Sequence, residues 1–307
     1  MINSTAAATP LALVTRRFLR HRLALVSAGV LVVLAAASLL APVVEGWLGL
    51  DANAVNLFNR LGAPSAAHPL GTDEAGRDVL LRLLYGGRVS LFVGIAAALT
   101  AAVLGTTVGL LSGYFGGRLD ALFMRLTDGV IALPLLPLLI VLAAIDLQKL
   151  GFSAEAAQAE SMSLYRIVVI VALVGWTTVA RLVRATALSL RERPFVLAAR
   201  AQGASSFRIM TVHILPNLAS PIIVATTLSV GNVILLESVL SFLGLGIQPP
   251  LPSWGNLLTN AQELIWDAPA LAVYPGLAIF VTVIAFNFVG DGLQDALDPR
   301  SLERGKR

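Results

Sequence analysis

Apolar residues along this chain come in long blocks separated by short polar stretches. Six blocks stand out, near Leu23–Val44, Val89–Ser112, Leu126–Ile145, Leu164–Val183, Leu218–Phe242 and Leu271–Val289. A helix needs about 20 apolar residues to cross the hydrocarbon core of a bilayer. The pattern therefore predicts an all-α polytopic membrane protein with about six transmembrane helices. The fourth block is the most interrupted, since only Ile167–Ala180 lacks charge. Its Arg166, Arg181 and Arg184 are expected to snorkel to the two interfaces, as long basic side chains can. The first block follows the basic stretch "RRFLRHR", as a signal peptide would. It runs far beyond the about 7–15 apolar residues of a signal core and is read as an uncleaved span.

The polar stretches set the orientation. Arg16, Arg17, Arg20 and Arg22, Arg118 and Arg125, Arg181, Arg184, Arg191, Arg193, Arg200 and Arg208, and Arg300, Arg304, Lys306 and Arg307 fall on one side. Together they are sixteen of the 22 lysines and arginines, against six on the other side. The excess of basic residues in cytoplasmic loops predicts that both termini are cytoplasmic, in keeping with an even number of spans. The chain divides accordingly into a basic cytoplasmic N-terminus (1–22), a first span with an extracytoplasmic loop (23–88), a five-span core (89–293) and a cytoplasmic tail (294–307).

Composition agrees with this reading. Of 307 residues, 57% are hydrophobic and only 13% charged, where soluble domains average about 25% charged. The net charge of +4 would suggest nucleic acid in a soluble protein. Here it follows the topology, and no nucleic-acid partner is expected; membrane lipid is. The absence of cysteine excludes disulfides, thiolate metal sites and cysteine nucleophiles.

One polar stretch is too long and too structured to be only a turn. Ala185–Asn217 reads as two short helices: Pro194 suits the first turn of one, Gly203 its left-handed C-terminal cap, and Ser205 the N-cap of the next. Phe207, Met210 and Ile214 recur at helical spacing on the second helix, which Pro216 is expected to close as the fifth span begins. The product is a bent, basic, partly apolar helical hairpin at the membrane surface. Its residues admit three roles: a solvated loop, an interfacial helix on anionic lipid, or a docking element for a cytoplasmic protein, with Ala198 and Ala199 allowing close approach.

The segment "LAARAQGASSFRIMTVHILP" resembles the coupling loop of bacterial ABC importers, E-A-A-x3-G-x9-I-x-L-P. Ala198, Ala199, Gly203, Leu215 and Pro216 fall in register, while Leu197 stands where the pattern has Glu and His213 where it has Ile. "HPLGTDEAGRDVLLRLLYGGRVSL", "GYFGGRLDALFMRLTD", "LSFLGLGIQPPLPSWGNLL" and "GDGLQDALDPR" also resemble family segments, in order, from about residue 68 to 300. The first 65 residues add little. Together they are similar to the C-type permease of dipeptide, oligopeptide or nickel ABC transporters. The resemblance implies a bacterial inner-membrane permease that pairs with a second permease, two cytoplasmic ATPases and an extracytoplasmic solute-binding protein. It implies transport by alternating access, probed at the ATPases by Leu197, Ala198, Ala199, Arg200, Gly203, Ala204, Ser205, Phe207, His213, Leu215 and Pro216. Peptides are the expected cargo, with nickel complexes, glutathione-like conjugates and sugars as alternatives.

The residues add a negative of their own. No G-x4-G-K-[ST] phosphate loop occurs, and the lysines are Lys149 and Lys306 alone, so ATP and Mg are expected in partner subunits and no cofactor or metal in this chain. An enzyme is not expected. His21, His68 and His213 are dispersed and no H-E-x-x-H occurs, and Phe288 of "FVGDG" replaces the first glycine of the aspartyl-protease G-x-G-D motif. An ion-driven carrier would show internal repeats and broken helices, and no repeat between halves is visible. Asn232 and Glu237 in the fifth span are candidates for a translocation pathway, and Glu237 also for a structural hydrogen bond or an interhelical contact. Arg125 and Asp128 could stabilise one conformational state through a salt bridge, or stand as interface-level charges. "GTDEAGRD" could order an extracytoplasmic gate or contact a binding protein, and Pro249, Pro250 and Pro252 suggest a rigid loop in which Trp254 anchors at the interface.

Overall fold

The computed structural model describes residues 10–259 and 261–298; Arg300, Arg304, Lys306 and Arg307, which entered the topology argument, lie outside them. Twelve helices follow one another among the described residues: α1 Pro10–Phe18, α2 Arg22–Leu39, α3 Ala41–Leu48, α4 Val79–Phe115, α5 Gly117–Ala132, α6 Leu135–Ala143, α7 Ala154–Gln158, α8 Glu160–Leu190, α9 Pro194–Ala201, α10 Ser206–Phe242, α11 Ala261–Leu264 and α12 Ala270–Leu297. Five of them, α2, α4, α8, α10 and α12, are long and apolar enough to cross a membrane.

The third expected span is not one helix. α5 and α6 meet at 90°, and the break falls at Leu133 and Pro134. A proline pushes its predecessor out of the helical region, and Leu133 is extended at φ −79° and ψ 138°. Pro134 is also extended and opens α6. The first expected span likewise ends early, at Leu40, where α3 starts with Pro42 in its first turn.

α4 is the axis of the molecule. Its 37 residues extend about 55 Å at 1.5 Å per residue, nearly twice the about 30 Å hydrocarbon thickness. It begins at Val79, well before the apolar run at Val89, because Asp78 caps it, accepting the Leu81 N–H at 2.8 Å. The partner of α4 is α8, and the approach is close because Gly105, Gly109 and Gly113 face it at four-residue spacing. A Cβ at Gly109 would lie 2.4 Å from the Ala180 carbonyl oxygen, and one at Gly105 2.5 Å from that of Trp176. Small residues at this spacing are what brings membrane helices into van der Waals contact where no hydrophobic force acts between them. α10 and α12 pack on the other flanks, and Val93, Ala97, Ile167, Ile234 and Leu240 form the buried centre.

The two ends of the bundle differ. At one, the cap end, residues 49–78 and 243–259 close over the start of α4. "GTDEAGRD" folds on itself there: Asp73 accepts the N–H groups of Ala75 and Arg77 at 2.9 Å and the Arg77 guanidinium at 2.7 Å. His68 meets Asp78 at 3.0 Å. Trp254 is not an interfacial anchor. It is 2% exposed, and its indole N–H donates to the Leu83 carbonyl at 3.0 Å. The opposite end carries the polar hairpin.

Candidate functional site

The hairpin has the two helices, the turn and the caps that its sequence predicts. α9 opens with Pro194 in its first turn. It closes with the Gly203 N–H on the Arg200 carbonyl at 3.0 Å and the Ala204 N–H on the Ala199 carbonyl at 3.1 Å. These are the two reverse bonds of a Schellman motif, which requires a left-handed residue between them, and Gly203 has φ +81°. Ser205 then caps the next helix, its hydroxyl accepting the Arg208 N–H at 3.3 Å.

The second helix does not stop at Pro216. α10 runs on from Ser206 into the membrane, through a π-helical stretch at Ile209–Ile214. A proline inside an α-helix loses one N–H and clashes with the carbonyl four residues back. The wider winding absorbs this, and the Leu215 N–H reaches back five residues to the Met210 carbonyl. The coupling element and the fifth span are therefore one rod. The winding also alters the expected apolar stripe: Ile209, Met210 and Ile214 are buried, but Phe207 is 72% exposed.

Burial sorts the other candidates. Ala199 and Val196 point into a cluster with Leu110 and Tyr114 of α4 and Val183 and Ala187 of α8, joined by half-buried Ala204 and Leu215. Leu197, Ala198, Ser205 and Pro216 are exposed, and His213 is half-buried. Of the alanine pair, only Ala199 mediates packing within the chain. Arg200 lies 5.8 Å from the ring centre of Tyr114, an attraction between a guanidinium and an aromatic face. Arg191 donates to the Gly113 carbonyl at 3.3 Å. The hairpin thus packs against the ends of both central helices.

Beside it stands an ion-pair ladder that the sequence did not disclose. Arg184 of α8 holds Asp120 of α5 at 2.6 Å, and Ser112 of α4 donates to the same carboxylate. Asp128 pairs with Arg181 at 2.5 Å, and among the described residues no ion pair joins it to Arg125. The arginines sit one turn apart and the aspartates eight residues apart, spacings that point each pair along one helix face. Nothing in either segment alone says that the faces meet. Arg181 and Arg184 reach carboxylates, where the sequence suggested snorkelling.

Between α4, the bent α5–α6 pair, α8 and α10 lies a cavity of about 280 Å³. Thr177, Thr178, Ser229 and Asn232 give it polar patches in an otherwise apolar wall. Asn232 lines it; Glu237 does not. Glu237 is 0% exposed, accepting from Ser241 at 2.7 Å and from Ser90 at 3.1 Å. The Ser90 hydroxyl in turn accepts the Trp254 N–H at 3.1 Å, and that of Ser241 the Ile247 N–H at 3.0 Å. Glu237 therefore ties α10, α4 and the 243–259 loop together. Among the described residues no group of three or more His, Cys, Asp or Glu could hold a metal ion.

A helical membrane core with a surface hairpin clamped to its central helices defines a permease. The model of the binding-protein-dependent transport system inner membrane component matches residues 105–303, and that of the N-terminal transmembrane domain of oligopeptide transport permease C matches residues 9–49. The second match extends the family likeness into the N-terminal region, where the sequence motifs had added little. The chain belongs to this family of ABC-importer permeases. It is 44% identical over 245 residues, 80% of this chain and 76% of the relative, to the dipeptide transport system permease protein of Alkalihalophilus pseudofirmus. It is 40% identical over 301 residues, 98% and 94% of the two chains, to the glutathione transport system permease protein of Pectobacterium atrosepticum. A solved structure of the MetNI methionine ABC transporter in inward-facing conformations shares the fold, with a TM-score of 0.55 at 18% identity over 71% of this chain and 96% of that one.

Proposed function

We propose that this chain is one half of a heterodimeric permease that carries di- or oligopeptides into a bacterial cell across the inner membrane. In this reading a second permease completes the translocation path, two cytoplasmic ATPases supply ATP and Mg, and an extracytoplasmic binding protein delivers the solute. Both termini and the hairpin face the cytoplasm. The observation that carries it is the clamped hairpin: its outward face presents Phe195, Leu197 and Phe207, an apolar patch of the kind that seats in a protein groove, while its inward face locks onto α4 and α8. A push on that patch reaches the cavity walls, which belong to the same helices, and alternating access follows. Peptide cargo is supported by the names of the relatives. Glutathione, itself a tripeptide, is the second reading, supported by the Pectobacterium relative that matches along nearly the whole chain.

The test uses the chain's lack of cysteine. A single cysteine at Ser205 is paired with cysteines on the partner ATPase, and disulfide yield is followed with and without ATP. A crosslink whose yield changes with nucleotide supports coupling; none at any ATPase position, in a folded assembly, refutes it. Binding titration of the cognate binding protein against peptides and glutathione decides the cargo.

A further inference from the structure

Under the cap, the start of α8 and residues 248–250 enclose a polar pocket of about 230 Å³. Its two charged lining residues, Glu160 and Arg166, both belong to α8. Arg166 is half-buried, and its Nε is shielded from solvent without a hydrogen-bond partner. Among the described residues neither Arg166 nor the Glu160 carboxylate enters an ion pair or a side-chain hydrogen bond. Asp146 and Lys149, on either side of Leu147 at the pocket edge, are exposed and offset each other in charge. A shielded donor on a charged group is costly to leave without an acceptor. The guanidinium is therefore set for an acceptor that the chain itself does not supply.

Place and spacing identify the class of ligand. Ser163 and Arg166 of the pocket stand eleven residues, about three helical turns, before Val174 and Thr177 of the cavity between α4, α8 and α10. Pocket and cavity therefore share a face of α8, about 16 Å apart along it, and the pocket is nearer the cap. A solute passing from the cap to the cavity meets the pocket first. Glu160 and Arg166 are six residues apart, about 9 Å of helix rise. An extended di- or tripeptide spans about 7–10 Å, with an ammonium group at one end and a carboxylate at the other. One unpaired anion and one unpaired cation at that spacing match those two ends. A guanidinium takes a carboxylate through two parallel hydrogen bonds, whereas a purely anionic solute would be repelled by Glu160.

We propose that this pocket is an entry site for short peptides with free ends, the carboxylate held by Arg166 and the ammonium group by Glu160. The site takes its cargo from the peptide-importer reading, and the test separates the two. Met162 lines the pocket and the chain has no cysteine, so Met162→Cys supplies a single reporter. In vesicles holding the full chain with its partner subunits, but no binding protein, maleimide labelling of that cysteine is followed as peptide is added. The peptides are trialanine, trialanine amide and N-acetyl-trialanine, and trialanine should protect at the lowest concentration. Arg166→Gln should raise the trialanine concentration for half-protection about tenfold, the factor for one hydrogen bond to a charged group. The value for the amide should not move, and Arg166→Lys should restore most of the difference. Glu160→Gln should likewise erase the advantage of trialanine over its N-acetyl form. Equal protection by acid and amide in the parent, or an unchanged trialanine value in Arg166→Gln, would overturn the proposal. So would loss of the second permease from the Arg166→Gln complex, which would make Arg166 an interface residue. ATP-driven peptide uptake in the same vesicles, with binding protein added, judges the importer reading. Protection without uptake refutes that reading alone, and uptake without protection refutes the pocket alone.

Discussion

The cap end and the hairpin end hold the same helices together by opposite means. At the cap, Glu237, Ser90, Ser241 and Trp254 form a buried network, and a network in a water-poor interior is costly to disturb because each broken bond strands a polar group. At the hairpin, cohesion comes from a buried apolar cluster that includes Val183, Ala199, Ile209, Ile214 and Leu218, and from half-exposed ion pairs. Exposed pairs contribute about 0–1 kcal/mol each. One end is therefore held by directional buried bonds, the other by apolar packing, which has no direction, and by ion pairs that contribute little.

The largest effect should come from the seam that both ends share. Gly109→Leu drives a side chain into the Ala180 carbonyl, which lies 2.4 Å from the position of a Cβ; overpacking of this kind costs about 1–3 kcal/mol and occasionally more. The variant should lose its cooperative melting transition in detergent, and a wild-type melting temperature would show that α4 and α8 separate more readily than their contact suggests. Next is Glu237→Ala, which strands the hydroxyls of Ser90 and Ser241 at about 2–3 kcal/mol. It should release the cap loop, read as faster hydrogen exchange at Ile247 and Trp254, with hairpin exchange unaltered. Spread of the effect to residues 194–208 would mean that the ends are not independent.

Gly203→Val sharpens the comparison from the other side. No atom lies within 4 Å of a Cβ there, so the cost is that of holding a β-branched residue at positive φ, about 1–2 kcal/mol. Folding and insertion should persist while ATP-driven uptake falls at least tenfold. Normal uptake would remove the bend from the coupling mechanism. The smallest change belongs to Arg181→Ala. Its pair with Asp128 is about half exposed on both sides, so the melting temperature should move by less than the equivalent of about 1 kcal/mol. A larger loss would make the ladder a structural element and the hairpin end stiffer than described here.

Much of this architecture is legible in one dimension because the bilayer imposes a length on apolar runs. The hairpin is legible for a different reason: Pro194, Gly203 and Ser205 act through their own backbone, so their roles survive without knowledge of neighbours. Where a neighbour decides, the reading changes. Pro216 looked like a terminator, yet a π-wound segment carries α10 through it. Trp254 looked like an interfacial anchor, yet Leu83 and Ser90 hold it in the interior. Asp128 reads in sequence as an interface-level charge or a partner of Arg125, and takes an arginine from α8.

By itself, then, the sequence determined the helical class, the positions of the spans to within a turn or several, and the hairpin with its caps, since each follows from local chemistry or from the thickness of a membrane. Only the tertiary structure decided that Glu237 knits the cap, that Asn232 faces the cavity, that Leu133–Pro134 turns the third span by 90°, and that Arg184 meets Asp120. These are pairings across 50 residues or more, or bends whose direction neighbours select, and residue spacing along one helix carries no record of which other helix it will meet.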